Sequence, residues 1–335
     1  MASDQQVDLA LVGAYLHNLQ LALVNGQAQH AELLLAHALD LMSPALTGQY
    51  PALLPSDLPI QFSAGVRLDP GKKRQGKPNE DCVFVSQGIV APAQVPFGLF
   101  VVADGMGGHA NGQEASLLAI ETTVDELLPR VRKGQTDGDS WGELLRHAVE
   151  QANLAVYQRS RQKQADMGTT LTAALIVGNI AFIANVGDSR TYLYRQGKGL
   201  EQITQDHSIV ARLVANGTIA PDDIYTHPDR NKVYRGLGAS LSIEVDIFRE
   251  TLQNGDALLL CSDGLWEMVP DEQQLAAVLS TSWASADYMA ERLLQLALAG
   301  GGRDNIGLVV VQVRIQDITT LQTIITPYRG AQLPV

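Results

Sequence analysis

Asp104 closes the apolar run FGLFVVA and is followed by Gly105, Gly107, Gly108 and His109. A carboxylate at the end of a buried strand is costly unless a cation meets it. Glycines beside it let the backbone approach a ligand closely. The stretch from Phe97 to Ser116 therefore fits a metal cradle, with the Asp104 carboxylate and the Gly105 carbonyl as oxygen donors. It fits a plain Asp-Gly turn as well. Recurrence favours the cradle: Glu80-Asp81 opens DCVFV, Asp188 ends AFIANVG, Asp263 ends ALLLCS, and Asp304 precedes Asn305 and opens IGLVVVQV. If these strand ends share one sheet edge, the carboxylates crowd into a volume where they cannot all stay ionised without cations between them. Hard oxygen donors with no Cys/His cluster point to Mg²⁺ or Mn²⁺ rather than zinc. Two such ions hold a shared water as hydroxide near neutral pH, ready to attack phosphorus in line while the metals neutralise the phosphoryl oxygens. No covalent nucleophile is needed, and neither Cys82 nor Cys261 lies in a phosphate-cradling loop.

The elements that must position these residues are legible as short runs. Strands are expected at Phe62–Val66, Asp81–Gln87, Phe97–Ala103, Thr169–Val177, Ile180–Val186, Arg190–Arg195, Glu244–Arg249, Ala257–Cys261 and Asn305–Arg314. Helices are expected near Gly112–Val131 and Ser140–Gln162, and again near Asp271–Leu279 and Ala284–Leu298. Strands in consecutive runs followed by paired helices favour an α+β fold over alternating βαβ units. Two antiparallel sheets face to face, with paired helices on each outer side, fit that order. Residues 1–50 differ in texture. Val7, Leu11, Tyr15 and Leu19 recur at helical spacing, Asn25-Gly26 breaks the pattern, and a second helix runs from Ala31 to Met42. They read as a helical hairpin whose apolar face packs on the main domain, with a kinase or substrate as the other partner for that face. Pro51, Pro55 and Pro59 mark 51–60 as a linker, 61–314 is the main domain, and 315–335 is a tail.

The chain has 335 residues, of which 46% are apolar, enough for a sizeable core. Its net charge of −12 disfavours a nucleic-acid partner, and a two-metal nuclease with it. The one basic cluster, Lys72-Lys73-Arg74 with Lys77, is short. Two cysteines inside apolar runs read as reduced core residues. With no membrane span and no signal peptide in view, a cytoplasmic, monomeric protein is expected.

Eight motifs occur in order: PNED at 78–81, VVADGMGGHANGQEAS at 101–116, MGTTLTAALI at 167–176, ANVGDSRTYLYR at 184–195, TQDHS at 204–208, HPDRNKVYRGLG at 227–238, LLLCSDGLWEMV at 258–269 and GRDNIGLVVV at 302–311. With them the chain resembles the bacterial form of the metal-dependent protein serine/threonine phosphatases of type 2C, over about residues 60–314. The resemblance implies an αββα sandwich, a binuclear Mn²⁺/Mg²⁺ centre, and hydrolysis of phosphoserine and phosphothreonine in proteins, opposing a Ser/Thr kinase. The other reading of the same fold is a catalytically weak scaffold that binds phosphoproteins.

The resemblance implies roles residue by residue. Asp104, Asp263 and Asp304 match ligands of one metal, and Glu80, Asp104 and the Gly105 carbonyl those of the other. Asp81 matches a supporting position. Asp188 matches a looser third-metal site, with Glu267 as its second carboxylate. Asn305 would orient Asp304 or a water, while Thr169 and Thr170 match paired threonines that also fit simple strand packing. The sequence departs from the pattern in three places. The position that often holds a phosphate-clamping arginine is Gly76, flanked by Arg74 and Lys77; either Arg74 takes that role, because a guanidinium fork suits phosphate better than an ammonium, or the stretch is a solvated basic loop. Met106 stands where eukaryotic relatives place a histidine as general acid, with His109 displaced from that position. Residues 1–60 lie outside the pattern altogether. The segment from Asp206 to Gly238 resembles the flap over the active site, and His207 and His227 within it read as structural hydrogen-bonding residues.

Overall fold

The computed structural model describes residues 59–91, 93–107, 110–136, 140–281 and 284–315. The expected helical hairpin, most of the linker, the tail beyond residue 315 and His109 lie outside the described residues.

In chain order the elements are β1 (Ile60–Asp69), β2 (Asp81–Val90), β3 (Val95–Met106), α1 (Ala110–Arg132), α2 (Trp141–Lys163), β4 (Gly168–Thr169), β5 (Leu171–Val177), β6 (Ile180–Val186), β7 (Arg190–Arg195), β8 (Gly199–Gln202), α3 (Ile209–Ala215), a 3-10 turn (Pro221–Tyr225), β9 (Asp246–Thr251), β10 (Ala257–Cys261), α4 (Asp263–Trp266), α5 (Glu272–Leu279), α6 (Ala286–Ala299) and β11 (Ile306–Ile315). One sheet has the order β1-β11-β10-β7-β8 and the other β2-β3-β5-β6-β9, with β4 paired to β3. The strand pairs are antiparallel.

The long apolar runs follow from this layering. A central strand covered on one face by helices and on the other by a second sheet has no solvent side, so alternation disappears. In β3, Phe97 and Leu99 face α1 and α2, while Phe100 and Val102 face the other sheet, and all four are fully buried. The layer between the sheets is filled by Val83, Ala174, Ile183, Leu258, Leu260, Val309 and Val311. A third cluster packs α4, α5 and α6 on the outer face of β10 and β11. The result is an αββα sandwich. Polar groups also cross between the sheets. Thr170 Oγ1 and Ser189 Oγ lie 2.7 Å apart, and so do the hydroxyls of Thr172 and Thr191.

Helix ends have identifiable causes. Ser140 Oγ accepts from the Glu143 N–H at 3.2 Å to start α2, and Gln164, at φ 50°, stops it. Ser208 and Ser285 cap α3 and α6 in the same way.

The structure differs from expectation in places. β1 begins at Ile60, inside the expected linker, because Ile60 is fully buried and pairs with Ile315. The expected strand Thr169–Val177 is split at Thr170, so that β4 pairs with the end of β3 and, through Thr169, with Leu237. β8, α3, α4 and the 3-10 turn lie outside the expected elements. Each is seven residues or shorter, too brief to display a period. Among the described residues no helix is long and apolar enough to cross a membrane.

Cys82 and Cys261 are free and buried in β2 and β10. Burial pushes both thiols well above their ordinary pKa. Both should therefore resist an aromatic disulfide reagent in the native protein and react only on unfolding. Rapid stoichiometric labelling under native conditions would contradict this packing.

Candidate metal centre

Antiparallel pairing explains how residues far apart in the chain converge. Successive strands reverse direction, so one edge of the sandwich collects the starts of β2, β5, β7 and β11 together with the ends of β1, β3, β6 and β10. Asp81 and Asp104 are direct cross-strand partners. Asp188 lies in the β6–β7 turn, which passes from one sheet to the other, Asp263 opens α4 at the end of β10, and Asp304 precedes β11. The edge forms a cleft of about 240 Å³ lined by Arg74, Glu80, Asp104, Gly105, Met106, Gly107, Thr170, Asp188, Asn231, Val233, Asp263 and Asp304. The four carboxylates central to the expected ligand set thus share one cavity. Asp81 lies beneath it, 1% exposed, with Oδ2 accepting from Ser262 Oγ at 2.7 Å. Glu267 is set back, with an oxygen 3.8 Å from Arg230 Nε.

Short backbone bonds fix the donors. Thr169 Oγ1 donates to the Asp104 carbonyl at 2.8 Å, and Thr170 Oγ1 accepts from the Asp104 N–H at 3.0 Å. The paired threonines therefore hold the backbone of Asp104 in addition to packing the strand. The Glu80 carbonyl accepts from Ser116 Oγ at 2.6 Å and from the Gly105 N–H at 3.1 Å. Asn305 touches more than the expected Asp304. Its backbone N–H donates to Asp304 Oδ1 at 2.7 Å. Its side chain instead accepts from the Glu80 N–H at 2.9 Å and donates to the Pro70 carbonyl at 3.0 Å. Gly264 admits no side chain, because a Cβ there would stand 1.8 Å from the Asn305 carbonyl oxygen.

Charge is concentrated where solvent is scarce. Burial, reinforced by Asp81, Asp263, Asp304 and Asp188, raises the Asp104 carboxyl well above its ordinary pKa. Burial with Asp188, Asp304, Glu267 and Asp81 does the same for Asp263. Asp81 and Asp188 are each pushed up to about 7, chiefly by burial. Arg74 stands between two of the donors: Nη1 lies 2.5 Å from Glu80 Oε2, and Nε 2.9 Å from Asp304 Oδ1. With the side chains so placed, no group of three or more His, Cys, Asp or Glu among the described residues is already gathered closely enough to hold an ion. The donor chemistry nevertheless fits hard divalent cations. Every candidate donor is oxygen, and Asp263 Oδ1 is buried without a hydrogen-bond partner.

The flap covers this edge and contributes Asn231 and Val233 to the cleft. His207 ties it to the turn that carries Asp188. Its N–H donates to the Gly187 carbonyl at 2.9 Å, and its Nδ1 accepts from the Gly187 N–H at 3.0 Å. Nε2 therefore carries the proton and faces Asp246 Oδ2 at 3.1 Å. Beneath the flap Arg190 forks onto Asp206, with its guanidinium 3.7 Å over the Trp266 ring. Trp266 Nε1 in turn donates to the Asp188 carbonyl at 3.0 Å. Sequence reasoning missed Ser116, Ser262 and the Arg190–Asp206 pair, although each falls inside a quoted motif. No motif alone reveals which side chains a buried arginine will meet.

Residues 70–298 match the family model for Protein phosphatase 2C. This chain belongs to the protein phosphatase 2C family. It is 38% identical over 217 residues to the serine/threonine phosphatase stp of Listeria welshimeri, covering 64% of this chain and 84% of that protein. Among solved structures it resembles the Mycobacterium tuberculosis serine/threonine phosphatase PstP/Ppp, with TM-score 0.64 and 35% identity over 76% of this chain and 99% of that one. The catalytic domain of PstP in complex with two manganese ions gives TM-score 0.62 and 35% identity, over 76% and 98% of the two chains. Phosphatases of the 2C family depend on Mn²⁺ or Mg²⁺, in keeping with the oxygen-only donor set.

Three outcomes follow from this geometry. Mn²⁺ should raise the melting temperature of the protein. Asp263→Asn should raise it in chelator, by relieving carboxylate repulsion, while abolishing the Mn²⁺ increment; thermal scans with and without metal check both. Gly264→Ala should destabilise the protein by about 2 kcal/mol or more, measured by urea unfolding, because the added methyl meets backbone that cannot yield.

Proposed function

We propose that this chain hydrolyses phosphoserine and phosphothreonine in proteins as a signalling phosphatase opposing a Ser/Thr kinase. Membership of the protein phosphatase 2C family makes it a metal-dependent serine/threonine protein phosphatase. The observation that carries the residue-level reading is the convergence of Glu80, Asp104, Asp263 and Asp304 on one cleft with Arg74 among them. In this reading Glu80, Asp104 and the Gly105 carbonyl hold one cation, and Asp104, Asp263 and Asp304 the other. Asp188, with Glu267 behind it, suits a looser third ion. When bound, the cations supply a water of lowered pKa and neutralise charge on the phosphoryl group.

The chain's own residues do the rest. Thr169, Thr170, Ser116 and Asn305 hold the donor backbones in register. Arg74, whose burial opposes its charge but whose pKa is raised by Asp304, Glu80 and Asp104, presents its fork to the phosphate oxygens. Met106 lines the cleft and cannot donate a proton, so water protonates the departing serine or threonine oxygen. The scaffold reading needs a broken donor set, whereas every expected donor is present. Two free, buried thiols suit a reducing compartment, so action in the cytoplasm, as a monomer, completes the proposal.

A phosphothreonine peptide should lose phosphate in Mn²⁺ and not in chelator, and a phosphotyrosine peptide should react far more slowly. Asp104→Asn and Asp263→Asn should each lower kcat on the order of a thousandfold or more. Arg74→Ala should act mainly on KM for the phosphopeptide. Metal-independent turnover, or a preference for phosphotyrosine, would overturn the assignment.

A further inference from the structure

The chain contains seven lysines in 335 residues, and three of them, Lys72, Lys73 and Lys77, fall within six positions of the β1–β2 loop. This loop also carries Arg74 into the cleft. All three lysines are exposed. Among the described residues no ion pair or hydrogen bond engages their side chains, although the chain holds 36 acidic residues against 24 basic ones. Of the four lysines elsewhere, Lys163 meets Glu114 and Lys232 lies 2.7 Å from Asp229, while the exposed Lys133 and Lys198 stand singly, far from this loop in the chain. The loop that presents the three clustered ones is anchored. The Lys73 N–H donates to the Gly302 carbonyl at 3.0 Å, the Lys77 N–H to the Arg74 carbonyl at 3.0 Å, and the Gly71 N–H to Asp69 Oδ1 at 2.7 Å. Gly302 is two residues from Asp304, and the exposed Arg303 lies between them. An anchored strip of unpaired positive charge thus borders the cleft on a protein whose net charge of −12 repels acidic partners elsewhere.

A phosphorylated residue reaching the carboxylate floor leaves its neighbours at the rim. In an extended segment, residues two or three positions away lie roughly 7–10 Å along the chain. We propose that Lys72, Lys73 and Lys77 form an anion-binding rim that selects phosphoprotein segments carrying a second negative group, a carboxylate or a further phosphate, two to three residues from the phosphoester being cleaved. The proposal rests on the phosphatase reading above and adds the substrate class to it. Unpaired lysines suit the task because they are point charges on flexible stems, free to meet anions at several offsets. They also raise the local concentration of acidic segments against an otherwise repulsive surface.

The test uses the full chain in Mn²⁺ with four phosphothreonine peptides of equal length, flanked by alanines, glutamates, a second phosphothreonine or lysines. An aryl phosphate serves as a separate measure of chemistry. The wild-type protein should favour the glutamate or doubly phosphorylated peptide over the alanine one in kcat/KM on the order of tenfold, with the preference fading at high salt. Preference for both anionic peptides assigns the rim to negative charge in general; preference for the doubly phosphorylated peptide alone assigns it to phosphate. The variant K72Q/K73Q/K77Q should bring the ratio to anionic over alanine peptide close to one. Aryl phosphate turnover with equal rates on all four peptides overturns the rim while leaving the phosphatase reading intact. A variant that keeps the wild-type preference also overturns the rim. Absence of turnover on every substrate overturns the phosphatase reading itself.

Discussion

Repulsion between carboxylates at one end of the sandwich is the constraint on which the rest of the structure depends. Asp81, Asp104, Asp188 and Asp263 are withdrawn from water and face one another, and each is harder to ionise as a result. A protein that buried such groups for stability alone would have replaced them with apolar residues. Here the surrounding fold is organised to hold them. Hydroxyls from Thr169, Thr170, Ser116 and Ser262 meet the backbone of Asp104 and Glu80 and the carboxylate of Asp81, while Arg74 supplies the positive charge within the cleft. The strain of gathering like charges is the same property that gives divalent cations a strong reason to bind.

The candidate donors are divided between the layers. Glu80 and Asp104 belong to the sheet built on β2 and β3, and Asp263 and Asp304 to the sheet built on β10 and β11. Asp188 lies on the turn that passes from one sheet to the other. His207 clasps that turn through Gly187, and Trp266 grips the Asp188 carbonyl from the opposite side. Flap, turn and short helix therefore meet at the adjacent residues Gly187 and Asp188 beside the cleft.

Much of this was legible in the sequence because strands ending in an acidic residue are few and recur in a fixed order. Asp104, Asp263 and Asp304 each follow or precede an apolar run too long for a loop, and antiparallel order alone brings alternate ends to one edge. The β6, β7 and β10 boundaries coincide with their expected ranges for the same reason. Contacts made by side chains between distant segments were not legible. The role of Asn305 in holding Glu80, the seat of Arg190 on Trp266 and the pairing of Ser262 with Asp81 depend on how two sheets stack, which no local pattern encodes. Short elements such as β8 and α4 stayed hidden because four residues carry no period.

The hydroxyl pairs that bridge the sheets, Thr170 with Ser189 and Thr172 with Thr191, have a bearing beyond cohesion. Apolar layers are indifferent to small lateral slips, whereas a hydrogen bond is satisfied at one offset only. These pairs act as dowels that index one layer against the other. Because half the candidate donor set rides on each layer, the spacing between the two proposed cation positions is inherited from an alignment that runs from Thr170 in the cleft wall to Thr172 behind it.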